Sequence, residues 1–378
     1  MGALAAVLQR FQPGANARRI GCIGMECALN AVHLVQLAAD SRGAITVHAM
    51  ASQPYPCTRD ELFASPRKFR ALVRTALAQG GFRGRAIVTT LPSSDVNIMP
   101  VSYHVAEGGS DDAALLGVMA ERLDGDLRDY VIDYLPVRSE RGMEERQAIV
   151  AVAQREFVIN YLELLRKSGL ETRHLEIGPS AIRRLVSAMG AQGEHHNVLA
   201  INFGRESSFL TVISGARLLF DQEIPFGENR LLNLVATTLE LPVESVSQLI
   251  AANSLDPWVK DRRSLREGMD REASLTLQEI VKPAFLKLVE EINRTLIYAA
   301  SQTRGESVTR IYLLGSLARW QGADALLRKL VNLDVETIPD PFRVFCKTAE
   351  SPSPTMVAPS PEIAVATGLA MNGLTEHD

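Results

Sequence analysis

Hydrophobic and polar positions alternate with period two along three consecutive stretches near the start of the chain, and again along three near its middle. Ile20 to Glu26 leads through a short turn into Val32-His33-Leu34-Val35-Gln36-Leu37, and the polar Asp40-Ser41-Arg42-Gly43 turns the chain into Ala44 to His48. Such runs bounded by Asp, Ser and Gly predict strand, turn, strand, hairpin, strand. The same order returns at Asn197 to Gly204, Ser208 to Ile213, the turn Ser214-Gly215-Ala216, and Arg217 to Ile224. After each meander the period lengthens to nearly four, at Pro66 to Gln79 and at Asn229 to Leu239, which predicts helices. Each half reads as a sheet covered by helices, and the repeated order as an internal duplication.

Between the halves lies a stretch that fits neither meander. Asp95 to Tyr103 reads as a strand, and Asp111 to Leu123 as a helix with Ser110 or Asp111 as its N-cap. Strands at Tyr130 to Val137 and Arg146 to Val152 flank the turn Ser139-Glu140-Arg141-Gly142. A helix from Arg155 to Ser168, stopped by Gly169, and a strand at Glu171 to Ile177 complete a compact α/β unit. The expected organisation is a leader at 1–19, a first lobe at 20–197 with an insertion at about 91–183, and a second lobe at 198–378 with a helical arm at about 229–305. A Pro- and Ser-rich loop including Ser351-Pro352-Ser353-Pro354 precedes a final small, apolar helix from Glu362 to Asn372.

Length and composition agree with two cores, since the chain has 378 residues and is 46% hydrophobic. With 40 basic and 44 acidic residues the net charge is -4, too balanced to attract nucleic acid. Cys22, Cys27, Cys57 and Cys346 match neither a zinc pair nor a dense disulfide framework, and read as reduced. No apolar run approaches the ~20 residues that cross a bilayer, and the start lacks the order of a secretory signal, so the expected compartment is the cytosol.

Duplicated halves that each open on a strand-turn-strand unit resemble the actin, heat-shock protein and sugar-kinase group. The fold this implies is a duplicated actin-like (ribonuclease H-like) two-lobed ATPase fold with a small inserted α/β subdomain. Within that group the segments resemble PilM, the actin-like family of type IV pilus assembly. Its first phosphate loop reads approximately I-G-L-D-I-G-S-S-S-V-K-L-V-E-L, and Ile23 to Leu37 aligns without a gap as I-G-M-E-C-A-L-N-A-V-H-L-V-Q-L. Glu26 takes the place of the Asp, Ala28 of the Gly, Leu29-Asn30-Ala31 of the three serines, and His33 of the Lys. Ile201-Asn202-Phe203-Gly204-Arg205-Glu206-Ser207-Ser208 resembles the second loop, D-I-G-A-x-x-T, with Asn202 in place of its Asp. Glu223 to Asn229 resembles R-E-I-P-I-G-G-x, with Glu228 at a glycine position, and Gln248-Leu249-Ile250 lacks the family's lysine. Leu313 to Gly322 resembles the adenosine motif L-S-G-G-G-A-R-L-P-G and keeps Gly315 and Gly322.

The resemblance implies Glu26, Asn202, Gly204, Ser207, Ser208, Gly315 and Ser316 as candidate nucleotide contacts, and ATP with Mg2+ as their candidate ligand. The substitutions argue against hydrolysis. Asn202 is neither a base nor an anionic metal ligand, Leu29 offers no hydroxyl, and Ala28 is strained if its turn needs positive φ. No catalytic residue and no metal ligand is assigned. The implied partner is the cytoplasmic tail of a PilN-like bitopic membrane protein, together with other inner-membrane platform proteins of the pilus. The chain itself would be peripheral at the inner membrane. The alternative reading is a functional ATPase that switches lobes; a small-molecule kinase ranks last, because no Asp stands in a recognisable catalytic-base motif. His33 reads as an edge or core histidine, Trp258 and Trp320 as buried, and His195-His196 and Lys260 to Arg263 as solvated loops.

Overall fold

The computed structural model describes residues 18–106, 108–137, 145–189, 197–257, 271–303, 305–344, 346 and 360–375. His195-His196, Trp258, the run at 260–263, the Pro- and Ser-rich loop at 351–359 and most of the expected leader lie outside them; Arg19 already belongs to the first strand. The first meander forms as its alternation predicts, with β1 (Arg19–Cys27), β2 (Ala31–Ala39) and β3 (Ile45–Pro54) paired antiparallel. Asp40 fixes the second turn by accepting from the backbone N–H groups of Arg42 and Ala44, both at 2.8 Å. After the short α1 (Arg59–Phe63) comes α2 (Pro66–Gly80), which starts on a Ser65 cap with proline in its first turn, where the missing N–H is harmless. Its buried positions Phe69, Leu72, Val73 and Ala76 follow helical spacing and join a core with Ile23 and Leu34 of the sheet. β4 (Ala86–Thr90) then pairs parallel with β1.

The chain next leaves this sheet. β5 (Asn97–His104), α3 (Asp111–Arg122), β6 (Tyr130–Pro136) and β7 (Glu145–Gln154) build a separate layer with strand order β5-β7-β6. Ser110 is the cap of α3, and Leu115 and Met119 pack on Val101, Ala148 and Val150. Pro100 is tolerated because β5 is an edge strand. α4 (Arg155–Lys167) and β8 (Glu171–Glu176) return to the first sheet, where β8 pairs parallel with β4 and gives the order β3-β2-β1-β4-β8. By sheet membership the inserted layer is therefore narrower than 91–183. Parallel neighbours need a crossover, and α4 is the helix that provides it, so a polar strand reading as part of the insertion belongs to the lobe.

α5 (Gly178–Met189) leads to the second meander, β9 (Asn197–Phe203), β10 (Ser208–Ser214) and β11 (Arg217–Ile224). There follow α6 (Glu228–Leu239), α7 (Val243–Ala252), the 32-residue α8 (Arg271–Gln302), β12 (Val308–Gly315), α9 (Ala323–Val331) and β13 (Asp334–Thr337). The second sheet runs β11-β10-β9-β12-β13, the same third-second-first-fourth-fifth order as the first. A 3₁₀ turn at Pro361–Ile363 precedes α10 (Ala364–Thr375), so the last helix begins two residues later and ends three later than its pattern predicts.

The lobes share a core. Ala181, Ile182 and Leu185 of α5 and Val365 and Leu369 of α10 join one cluster with Val88 of the first sheet and Ala200 and Leu314 of the second. α10 lies directly on β1, because a Cβ on Gly24 would stand 2.1 Å from the Ala366 carbonyl oxygen. Only glycine in the strand and small residues in the helix allow that approach.

Candidate functional site

The turns after β1 and β9 open into one cleft of about 400 Å³ between the lobes. The first lobe contributes Glu26 and the turn Ala28-Leu29-Asn30, and the second contributes Asn202, Gly204, Gly315 and Ser316. Of the seven residues singled out from the sequence, five meet here. Ser207 and Ser208 do not. Ser208 opens β10 and is fully buried, with its hydroxyl donating to the Phe226 carbonyl; Ser207 uses its own carbonyl to accept the Gly204 N–H at 3.0 Å. Strand alternation places Ser208 on the inward face with Leu210 and Val212, which removes it from any ligand.

Four amides in and beside these loops are spent within the protein, one of them that of Gly204. Ala28 N–H donates to Ala31 at 3.0 Å, and the N–H groups of Glu228 and Asn229, at the start of α6, donate to the carbonyls of Gly204 and Arg205 at 3.0 and 2.8 Å. Ala28 does not have positive φ, so the first turn accepts alanine without the strain that a left-handed position would impose. Gly315 does require glycine: its φ is +74°, and a Cβ would stand 2.1 Å from the Phe203 carbonyl oxygen and 2.8 Å from the Asn202 side chain.

Glu26 and His33 both line the cleft. Glu26 keeps its carboxylate oxygen Oε2 buried with no hydrogen-bond partner among the described residues, and desolvation pushes its pKa up to about 8. Its cross-strand neighbour His33 is buried, lies with Nδ1 2.8 Å from the Ser52 hydroxyl, and is pushed down to about 4 by burial. Of the edge and core readings of His33 made from the sequence, this placement is the core one. Arg205 and Arg319 both stand on the wall, and two carboxylates hold Arg319: Glu228 at 3.1 Å and Glu362 at 3.0 Å. Glu228 is buried and also accepts from the Trp320 indole N–H at 3.0 Å. Instead of facing a ligand, it ties α6 to the turn after β12.

A second cavity of about 390 Å³ lies on the other side of Glu26 and Asn202, which line both. Its walls are mixed, the apolar part coming from Val96 and Ile98 at the entry to β5, Ile182 of α5, and Phe209 and Phe220 of the second meander. Asp221 lines it too. This carboxylate is buried, accepts from the Thr211 hydroxyl at 2.6 Å across the β10–β11 pair, and is pushed up to about 7 by desolvation. Among the described residues no basic one lines the cavity, whereas Glu26, Asp221 and Glu223 do. Sequence reading passed over Asp221, although an acid at an inward position of an alternating strand, opposite Thr211, is a signal of the kind that marks a buried polar pair.

Solved structures share this architecture. A structure described as the PilM-PilN type IV pilus biogenesis complex aligns over 94% of this chain and 98% of its own, with a TM-score of 0.70 and 23% identity. The ethanolamine utilization protein EutJ from Carboxydothermus hydrogenoformans aligns over 93% and 89%, at 0.52 and 12%. MreB 5 of Spiroplasma citri, bound to AMPPNP, aligns over 94% and 97%, at 0.50 and 12%. The fold is the duplicated, two-lobed actin-like α/β fold. Residues 24–374 match the family described as type IV pilus assembly protein PilM, nearly the whole length, and the chain belongs to that family.

Proposed function

We propose that the chain is an assembly platform of a type IV pilus or a related inner-membrane machine, which binds the cytoplasmic tail of a PilN-like bitopic membrane protein and hydrolyses ATP weakly or not at all. Its place at the membrane comes through that partner; among the described residues no helix is long and apolar enough to cross a bilayer. Family membership supports the pilus role, and the similar PilM-PilN complex supports the partner.

The second cavity carries the reading of where the tail docks. β5 and β11 are both edge strands beside it, so an extended segment finds unpaired backbone groups as well as apolar wall residues. Glu223 on its wall favours a tail with a basic residue among apolar ones. The cleft, by contrast, does not fit a metal-bound triphosphate. Burial pushes its first-strand carboxyl up to about 8, the second-loop position is an amide, the Ala28 and Gly204 amides are engaged, and the Arg319 guanidinium is taken by Glu228 and Glu362.

Substitution separates the two cavities. Ile98→Asp with Phe220→Asp is expected to abolish capture of a synthetic PilN-like N-terminal tail, and Gly315→Val to leave capture unchanged in the folded fraction. Equal capture by the parent and the Ile98→Asp/Phe220→Asp chain would place the tail elsewhere, and magnesium-dependent ATP turnover by the parent would overturn the non-hydrolytic part.

A further inference from the structure

The two helices on the side of the first sheet opposite α5 and α10 carry charge that little in the protein balances. α2 and α4 bury their apolar positions in one core, Phe69 and Leu72 from the first and Tyr161 and Leu165 from the second. Helical spacing leaves Arg67, Arg70 and Arg74 of α2 on the solvent side, three and four residues apart, in a line about 10 Å long. Together the helices hold seven basic and two acidic residues in a chain whose net charge is -4, so the positive excess is local.

Four of these bases have no carboxylate of their own. Arg70 donates from Nε at 2.8 Å to the Lys167 carbonyl, a neutral acceptor in the last turn of α4 that holds the basic parts of the two helices side by side. Among the described residues no ion pair holds Arg67, Arg74 or Arg166. Glu163 lies near Arg166 but is engaged by Lys167 at 2.5 Å, as Glu61 is by Lys68 at 3.3 Å. No acid stands within one turn of any arginine of α2, and like charges one turn apart weaken a helix. An anionic surface laid across the row relieves that repulsion. Between Arg67 and Arg74 the exposed positions are Lys68, Arg70 and Ala71, and Ile159 is the one large apolar residue exposed on either helix. A protein interface draws its energy from a cluster of buried anchors, which this face lacks; adsorption to acidic headgroups needs only charge spread over a surface.

We propose that this face binds anionic phospholipid headgroups, so that the chain lies against the bilayer in addition to holding the tail. The contact needs no partner protein and uses neither cavity, so it stands or falls apart from the tail reading.

Co-sedimentation of the full chain with phosphatidylcholine vesicles containing about 30% phosphatidylglycerol, in about 50 mM salt, tests this. The parent is expected to bind these vesicles, to leave pure phosphatidylcholine vesicles unbound, and to be released at about 500 mM salt. An arginine near an anionic surface is worth about fivefold in partitioning, so Arg67→Gln with Arg74→Gln and Arg166→Gln is expected to lower the partition coefficient about a hundredfold. Arg217→Gln with Arg230→Gln and Lys287→Gln removes the same charge from the second lobe and is expected to change it by less than about threefold. All six positions are exposed, where such changes leave folding intact. No binding to the acidic vesicles overturns the proposal, even where a polyglutamate peptide is bound. So does binding that survives the first-lobe triple substitution, or that the second-lobe triple weakens as much.

Discussion

Replacing Glu228 by alanine removes the group that joins the start of α6 to the turn after β12, and the structure allows its cost to be worked out. The indole N–H of Trp320, a residue 4% exposed, loses its acceptor. An orphaned buried donor costs about 1–3 kcal/mol. Arg319 contributes less, because its side chain is 46% exposed and it keeps Glu362 at 3.0 Å; an exposed pair is worth about 0–1 kcal/mol. Loss of the Glu228 methylenes adds about 1 kcal/mol, and release of a buried carboxylate from its desolvation offsets part of the total. The net is about 2–3 kcal/mol, which for a lobe of this size lowers the unfolding midpoint by about 5–10 °C. Differential scanning calorimetry reads it directly. The diagnostic is the double variant: once Glu228 is alanine, Trp320→Phe removes an orphan and not a partner, so its effect falls short of additivity by about 1–2 kcal/mol. A Glu228→Ala midpoint within about 1 °C of the parent, or full additivity with Trp320→Phe, would show that the carboxylate does not serve as the internal tie described here.

Two further outcomes follow from particular contacts. Asp221 has a folded-state pKa of about 7 against an ordinary 3.8, so the folded chain holds its proton more tightly than the unfolded chain does. Its contribution is complete below about pH 4 and is lost as pH rises through about 7; urea unfolding of Asp221→Asn should therefore show stability gaining on the parent between about pH 5 and pH 8, and parallel curves would refute the assignment. Gly24→Val forces side-chain atoms into a backbone that already leaves no room at 2.1 Å from the Ala366 carbonyl, so it should yield little soluble folded protein, while the same change at the open Gly117 of α3 should be tolerated.

Much of the fold was legible because the two meanders repeat one pattern of alternation, and alternation is what strand pairing rewards. Ser110 as a cap, Gly169 as a stop and Trp320 as a buried indole were legible for equally local reasons. The limit of the insertion was not, because β8 (ETRHLE) is short and polar, and its place is fixed by pairing with β4 more than eighty residues upstream rather than by its own residues. Ser207 and Ser208 read as phosphate contacts from a motif alone, yet the period-two rule that predicted β10 also turns Ser208 inward. The role of Glu228 depends on Arg319 and Trp320 arriving from about ninety residues away, and no local pattern reports that meeting.

The most direct test is a calorimetric titration of the full chain with a synthetic N-terminal cytoplasmic tail of a PilN-like protein, with and without ATP and Mg2+. The account predicts saturable one-to-one binding of the tail, with an affinity that changes by less than about threefold when ATP and Mg2+ are added and with no heat of ATP turnover. Absence of tail binding, or tail binding that appears only with ATP and Mg2+ and is accompanied by turnover, would contradict it.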